Sequence, residues 1–254
     1  MLSTRAYRAM PLCLSILSTL TSSAAFADTS LFTAMDDPTT AKKSFDGNVQ
    51  AGYNSQSGNS ESSNLLANTT MTWFNPETAY SLWGTANNTK SGDTRSSEKY
   101  QAGARSRYNL SPDNYIFGQG SWINDRYAGY DSRSTGTLGY GRQVLATPAQ
   151  NLRVEFGPGV RHDEYHGGGR ETQALAYAAG NYAYQLTKNT QFTQGVSVMA
   201  NDDTTVNSET ALNVGINDDF SLRLSYNVVY NTEPPASAPK KTDTSTAITL
   251  RYNL

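Results

Sequence analysis

Phe220-Ser221-Leu222-Arg223-Leu224-Ser225-Tyr226-Asn227-Val228-Val229-Tyr230 decides the fold. Alternate side chains of a strand point to opposite faces. Phe220, Leu222, Leu224, Tyr226, Val228 and Tyr230 therefore share one apolar face, and Ser221, Arg223, Ser225 and Asn227 share a polar one. The last stretch repeats the pattern, with Ile248, Leu250, Tyr252 and Leu254 opposing Thr249, Arg251 and Asn253. So do Phe45 to Tyr53, Leu65 to Trp73, Tyr100 to Leu110 and Leu152 to Val160. About twelve such stretches follow one another, most long enough to cross a bilayer as a tilted strand of about 9–11 residues. Segments 114–127 and 130–145 are mixed on both faces. No stretch longer than a few residues has helical apolar spacing.

The connections alternate too. Asn75-Pro76-Glu77, Ser111-Pro112-Asp113, Thr147-Pro148-Ala149, Thr187-Lys188-Asn189 and Asn217-Asp218-Asp219 read as tight turns. Between them, 54–63, 88–97, 126–132, 163–171, 201–208 and 231–243 are longer and more polar. Short periplasmic turns and longer extracellular loops are the pattern of an antiparallel transmembrane β-barrel. Aromatics mark both rims of the apolar face. Trp73, Tyr80, Tyr108, Tyr115, Tyr184, Phe192, Phe220 and Tyr252 are expected near the periplasmic rim, and Tyr53, Tyr100 and Tyr230 near the other. The expected fold is all-β, one barrel of about twelve strands over 44–254, because lipid cannot satisfy the free edge of an open sheet.

Composition agrees with export and excludes several classes. The chain has 254 residues, 20 basic and 22 acidic side chains, and 16 tyrosines. This balance argues against a nucleic-acid-binding protein, which is usually basic. Residues 1–27 read as a signal peptide: Arg5 and Arg8, an apolar run from Ala9 to Leu20, and Ala25-Phe26-Ala27 before cleavage. Without that leader's two arginines the net charge is −4. Cys13, the one cysteine, lies inside it, so neither disulfides nor a Cys-based zinc site is expected. Residues 28–43 form a periplasmic N-terminal segment that is disordered or tucked into the barrel.

Chemistry-bearing residues concentrate on the enclosed face. Parity places Lys99, Arg105, Arg107, Arg133, Arg153, Arg161, Arg223 and Arg251 inward, with Asp46, Glu155, Asp163 and Glu209. Rings of Arg and Lys favour anions, so Lys99, Arg105, Arg107, Arg153, Glu155, Arg161, Arg223 and Arg251 are the candidate lumen-lining residues. An eight-stranded barrel is filled by side chains and a 16–18-stranded one leaves a channel; twelve strands leave both outcomes open. His162 and His166 are the only histidines. His162 and Asp163 point to opposite faces of one strand, so they do not form a catalytic pair there. Two histidines are too few for a structural zinc site. Gly167-Gly168-Gly169 lacks the Lys-Ser or Lys-Thr of a phosphate loop. Asp202-Asp203 and Asp218-Asp219 fit no EF-hand spacing. No catalytic residue, cofactor or metal is expected.

Met35-Asp36-Asp37-Pro38, Gly47-Asn48, Ala51-Gly52-Tyr53, Ser57-Gly58-Asn59 and Thr69-Thr70-Met71-Thr72-Trp73 form a recognisable series. It continues through Ser96-Ser97-Glu98-Lys99-Tyr100, Phe156-Gly157-Pro158-Gly159-Val160-Arg161, Phe192-Thr193-Gln194-Gly195-Val196-Ser197 and Glu233-Pro234-Pro235. Over essentially the whole mature chain it resembles the YdiY-like salt-induced outer membrane proteins, a domain family of unknown function. The resemblance implies the outer membrane of a Gram-negative bacterium and no established activity. The expected function is a non-enzymatic barrel, either a narrow, weakly anion-preferring pore or a structural envelope component linked to salt or stress adaptation. The expected partners are outer-membrane lipids, lipopolysaccharide (through Lys240 and Lys241 of the longest loop), the barrel-insertion machinery, and small ions or solutes. An outer-membrane hydrolase and a soluble periplasmic β ligand-binding protein are the alternatives.

Overall fold

The computed structural model describes residues 37–41, 43–56, 62–91, 94–125, 130–233 and 241–254. The expected signal peptide, residues 28–36, and 57–61, 92–93, 126–129 and 234–240 of the outer connections lie outside them, Lys240 included.

Twelve strands follow in order: β1 Phe45–Gln56, β2 Ser62–Phe74, β3 Thr78–Ser91, β4 Thr94–Asn109, β5 Asn114–Asp125, β6 Tyr130–Ala146, β7 Gln150–Tyr165, β8 Arg170–Thr187, β9 Thr190–Ala200, β10 Thr205–Gly215, β11 Phe220–Asn231 and β12 Thr242–Asn253. Each pairs antiparallel with its neighbours in sequence, and β1 pairs with β12 to close the barrel. The closing seam runs from Asn48 opposite Asn253 to Ala51 opposite Leu250, and the Leu254 N–H donates to the Gly47 carbonyl at 2.8 Å. Every ladder is then paired, as a sheet within hydrocarbon requires.

The burial pattern is inside out. Large apolar residues such as Phe156 (58% exposed) and Ile248 (64%) cover the outside, whereas Arg, Asn, Gln and Thr are buried. That is the lipid-facing band of an outer-membrane barrel, with the polar groups turned inward. The tight turns stand where expected, each with its own hydrogen bonds: the Asn75 N–H donates to the Thr78 carbonyl, and the Thr147 N–H to the Gln150 carbonyl, both at 2.8 Å.

The outer connections are shorter than the sequence suggested. The expected loop 88–97 is largely strand, since β3 runs to Ser91 and β4 starts at Thr94; likewise β7 continues to Tyr165 and β8 starts at Arg170. β8 has 18 residues, well beyond a membrane span. Outside the membrane both faces of a strand meet water, so apolar alternation fades while the ladder continues. The Gly167-Gly168-Gly169 run is the β7–β8 turn, where all three residues have positive φ (85°, 92° and 128°) that only glycine adopts without strain.

Tyr115 corrects the expected aromatic girdle. It is 1% exposed and lies inside, with Phe117, Leu175, Tyr177 and Met199. Its parity on β5 is that of Phe117 and Gln119, opposite to the outward Ile116 and Trp122. Apolar rings on the inner face explain why 114–127 looked mixed. Glycines on β6 seat these rings: Tyr115 stands opposite Gly141 and Phe117 opposite Gly139. A Cβ on Gly141 would lie 2.2 Å from the Tyr115 ring. Gly141→Val is therefore expected to destabilise the barrel by about 1–3 kcal/mol through overpacking. Urea unfolding of the detergent-folded protein should show the lower midpoint; an unchanged midpoint would refute this seating.

Candidate functional site: the barrel interior

The interior divides into a packed side and an open side. On the packed side, β4 to β8 contribute long charged and aromatic groups that meet in the lumen. The Arg105 guanidinium contacts the Glu155 carboxylate and donates to Gln119 Oε1 at 3.0 Å, and the Tyr115 hydroxyl donates to Glu155 Oε1 at 2.7 Å. Arg105 also lies over the Phe117 ring (4.7 Å to the centroid) and Arg107 over the Tyr115 ring (3.8 Å). Arg105 and Glu155 are both desolvated there, so removing either partner leaves the other's charge buried and uncompensated.

Each end of the packed side carries a further ion pair. At the periplasmic end, Arg107 Nη2 stands 3.3 Å from Asp37 Oδ2, and the Asn109 amide donates to Asp37 Oδ1 at 2.8 Å. Asp37 caps a 3-10 turn, Pro38–Thr40, just before the barrel, and accepts from the Thr39 N–H. The described part of the N-terminal segment is thus tied to the barrel wall. At the extracellular end, Arg133 forms a two-pronged pair with Asp163 (2.7 and 2.9 Å), Arg161 Nε stands 3.1 Å from Asp163, and Arg161 Nη2 is 3.2 Å from Asp203. Asp203 belongs to the β9–β10 connection, which folds inward to reach Arg161.

On the open side, β1–β4 and β9–β12, with the periplasmic ends of β7 and β8, enclose a cavity of about 470 Å³. Its wall is rich in Asn, Gln, Thr and Ser. Four basic side chains border it, Lys99, Arg153, Arg223 and Arg251, against two acidic ones, Asp46 and Glu209. Arg223 contacts Glu209 and donates to Asn213 Oδ1 at 2.8 Å. A second hollow lies among the periplasmic turns, near Lys188, Asn189 and Asp218, and Gln191 and Asn213 line both it and this cavity.

All eight candidate lumen residues face the interior, but they divide between the two sides. Lys99, Arg153, Arg223 and Arg251 border the cavity, while Arg105, Arg107, Glu155 and Arg161 are held in the packed side. Parity missed Asp37 and Asp203, because neither lies on a strand. It also missed Trp83, which faces inward on β3 in line with Ala79, Ser81 and Asn87. The histidines are far from any such arrangement: His162 Nδ1 is 2.7 Å from Thr172 Oγ1 on the outer face, and His166 Nδ1 is 2.5 Å from Asp131 near the extracellular edge. Among the described residues no three His, Cys, Asp or Glu side chains gather as a metal site.

A family model described as "Protein of unknown function, DUF481" matches residues 49–254, nearly the whole barrel. The chain belongs to this DUF481 family. "Uncharacterized protein YdiY" of Escherichia coli (strain K12) is 59% identical over 230 residues, which is 91% of each protein. In structure, the DUF481 barrel resembles the COG4313 outer membrane channel from Pseudomonas putida F1, with a TM-score of 0.50, 11% identity, and coverage of 82% of this chain and 94% of that one. It is also similar to the translocator domain of the autotransporter NalP from Neisseria meningitidis (TM-score 0.47, 12% identity, 84% and 88% covered). At such identities the first likeness speaks for an outer-membrane barrel fold and nothing finer.

Two predictions follow from the packed side. Arg105→Ala leaves Glu155 buried without its cation and should cost about 3–5 kcal/mol, whereas Arg105→Ala with Glu155→Ala should recover most of that. Urea midpoints of the four proteins in a double-mutant cycle test the coupling, and additivity would refute it. For Asp37, burial disfavours the charge, but the Thr39 N–H and hydroxyl, the Asn109 amide and Arg107 outweigh it and hold the carboxyl below its ordinary range. A depressed folded pKa stabilises the docked segment above the ordinary Asp value of about 3.9 and is lost as pH falls through the lowered value. A fluorophore on Ala41→Cys should therefore stay immobilised at about pH 5 and gain mobility in stronger acid, or at neutral pH in Asp37→Ala. Equal anisotropy in Asp37→Ala and the parent would contradict the tether.

Proposed function

We propose that this protein is a non-enzymatic channel of the Gram-negative outer membrane, with a narrow lumen that passes small ions or solutes and prefers anions weakly. Export by the N-terminal leader belongs to this reading. The observation that carries it is the open side of the lumen, a polar cavity reaching the periplasmic ends of β7 and β8 and bordered by four basic and two acidic side chains. A fixed unit charge about 8 Å from a passing ion contributes about 0.5 kcal/mol in pure water, and physiological salt cuts this to about 0.2 kcal/mol for the anion's attraction and the same for the cation's repulsion. An excess of two positive charges therefore gives selectivity of low degree. The packed side supports narrowness, because its ion pairs occupy the rest of the cross-section. The outward or rim positions of His162 and His166 support the non-enzymatic reading, since neither meets a nucleophile with a carboxylate behind it.

The resemblance to salt-induced proteins supports a role for this channel in the bacterium's response to salt or envelope stress. Lipid and lipopolysaccharide contacts are assigned to the apolar band and the extracellular edge, where Lys241 is exposed. A second reading, a structural barrel without flux, is favoured by one observation: ion pairs at Asp37 and Asp203 draw both mouths inward on the packed side.

Planar-bilayer recording of the refolded mature protein decides between them. The expected result is discrete conductance steps with chloride over potassium permeability of about three to four, falling towards one in Lys99→Gln with Arg251→Gln. No conductance from a barrel that shifts in gel mobility on boiling would sink the channel and leave the structural barrel.

A further inference from the structure

Five inward side chains form a cross on three adjacent strands of the open side. Asn68 on β2, Thr85 on β3 and Gln101 on β4 stand directly opposite one another in one row. Trp83 and Asn87 flank Thr85 along β3, and period-2 alternation puts all three on the same face. All five border the cavity. Asn87 is 2% exposed and Gln101 4%, yet the amide nitrogen and oxygen of each have no hydrogen-bond partner within the protein. The same holds for Asn68 Oδ1 and the Trp83 indole N–H.

Buried amides are normally satisfied, since an unmade hydrogen bond is costly. Six polar atoms of four residues along one cavity wall thus have hydrogen-bonding capacity that the protein itself does not use. Their chemistry is selective. A metal cation would need carboxylates, and none is in the cross. A phosphate or sulfate accepts hydrogen bonds only, and the amide oxygens would face it unpaired. A hydroxyl both donates and accepts, and so suits an amide at either end.

Trp83 adds a second criterion. Its cross-strand partner is Gly103, and a Cβ there would lie 2.1 Å from the indole. The ring therefore lies over the neighbouring strand at the one position without a side chain. The electron-rich face of an indole attracts the positively polarised C–H bonds of a saturated ring. Hydroxyls around a C–H face are the pattern of a sugar.

We propose that Asn68, Trp83, Thr85, Asn87 and Gln101 form a binding site for a polyhydroxylated solute of mono- or disaccharide size. The cavity volume of about 470 Å³ lies within the ordinary range for small-molecule sites. The assignment deepens the channel reading and rests on it for its role: the site gives a solute a foothold within the lumen. Binding itself can be read without flux, because Trp83 is the one tryptophan facing the lumen, while Trp73 and Trp122 are exposed on the outside.

The test uses the refolded mature chain in detergent with Trp73→Phe and Trp122→Phe, which leaves Trp83 as the sole indole. Maltose and glucose are titrated against a polyethylene glycol of matched mass. A saturable change in Trp83 emission is expected with the sugars and none with the polymer. Asn87→Leu and Gln101→Leu should each weaken binding about tenfold. Gln101→Glu keeps the size and one acceptor, and serves if the leucine variants fail the gel-shift test of folding; it too should bind more weakly. An unsaturable response, one shared by the polymer, or one undiminished in folded amide variants overturns the site. Saturable binding without bilayer conductance would keep the site and reject the channel; conductance with no saturable sugar response would do the reverse.

Discussion

Closure of β1 on β12 is the constraint on which the rest depends. A sheet in hydrocarbon has no water to satisfy its edges, so each strand must find two partners. Here the Asn48–Asn253 to Ala51–Leu250 pairing and the Leu254–Gly47 hydrogen bond complete the ring. Once the ring is closed, strand alternation has a fixed meaning. One parity meets lipid and must be apolar; the other meets a confined space in which charge and amide groups can be kept. The polar interior is a consequence of the membrane outside.

Confinement then decides what the interior charges do. An arginine pointing into a wide aqueous pore keeps its hydration. In a twelve-stranded barrel partly filled by Tyr115, Phe117 and Tyr177, Arg105 loses water and needs Glu155 close at hand. The aromatic rings and the ion pairs are thus parts of one packing solution: the rings narrow the lumen, narrowing desolvates the arginines, and the carboxylates answer. Gly139 and Gly141 make room for the rings by lying across from them. The opposite wall carries fewer rings, with Trp83 lying over Gly103 and Phe74 near the periplasmic end, and its cavity persists.

This asymmetry explains what was legible in the sequence. Strand number, turn positions and the facing of Arg105, Arg153 or Arg223 follow from a period of two, which needs no tertiary information. Tyr115 was misplaced because an aromatic near a turn fits a lipid rim as well as a packed lumen; only its neighbours on β6, two glycines at the facing positions, distinguish them. Asp37 and Asp203 were missed because parity has no value off a strand. Outer strand ends were read as loops because the apolar signal stops where the lipid stops, although the hydrogen-bonded ladder does not. Alternating glycines opposite inward aromatics, as at Gly139 and Gly141, were the available signal for which wall is packed.

Charge and amide contribute differently to what such a lumen can select. A positive excess acts at a distance, is weakened by salt within about 10 Å, and discriminates only by sign. Amides act at contact and discriminate by the geometry of donors and acceptors. In this interior most charges have been brought to partners: Arg105 to Glu155, Arg107 to Asp37, Arg133 and Arg161 to Asp163, Arg223 to Glu209. Pairing removes much of their long-range field. Asn68, Asn87 and Gln101, in contrast, retain atoms that nothing in the protein engages. Any discrimination at contact therefore falls to the neutral wall, while the paired arginines chiefly set the lumen's shape.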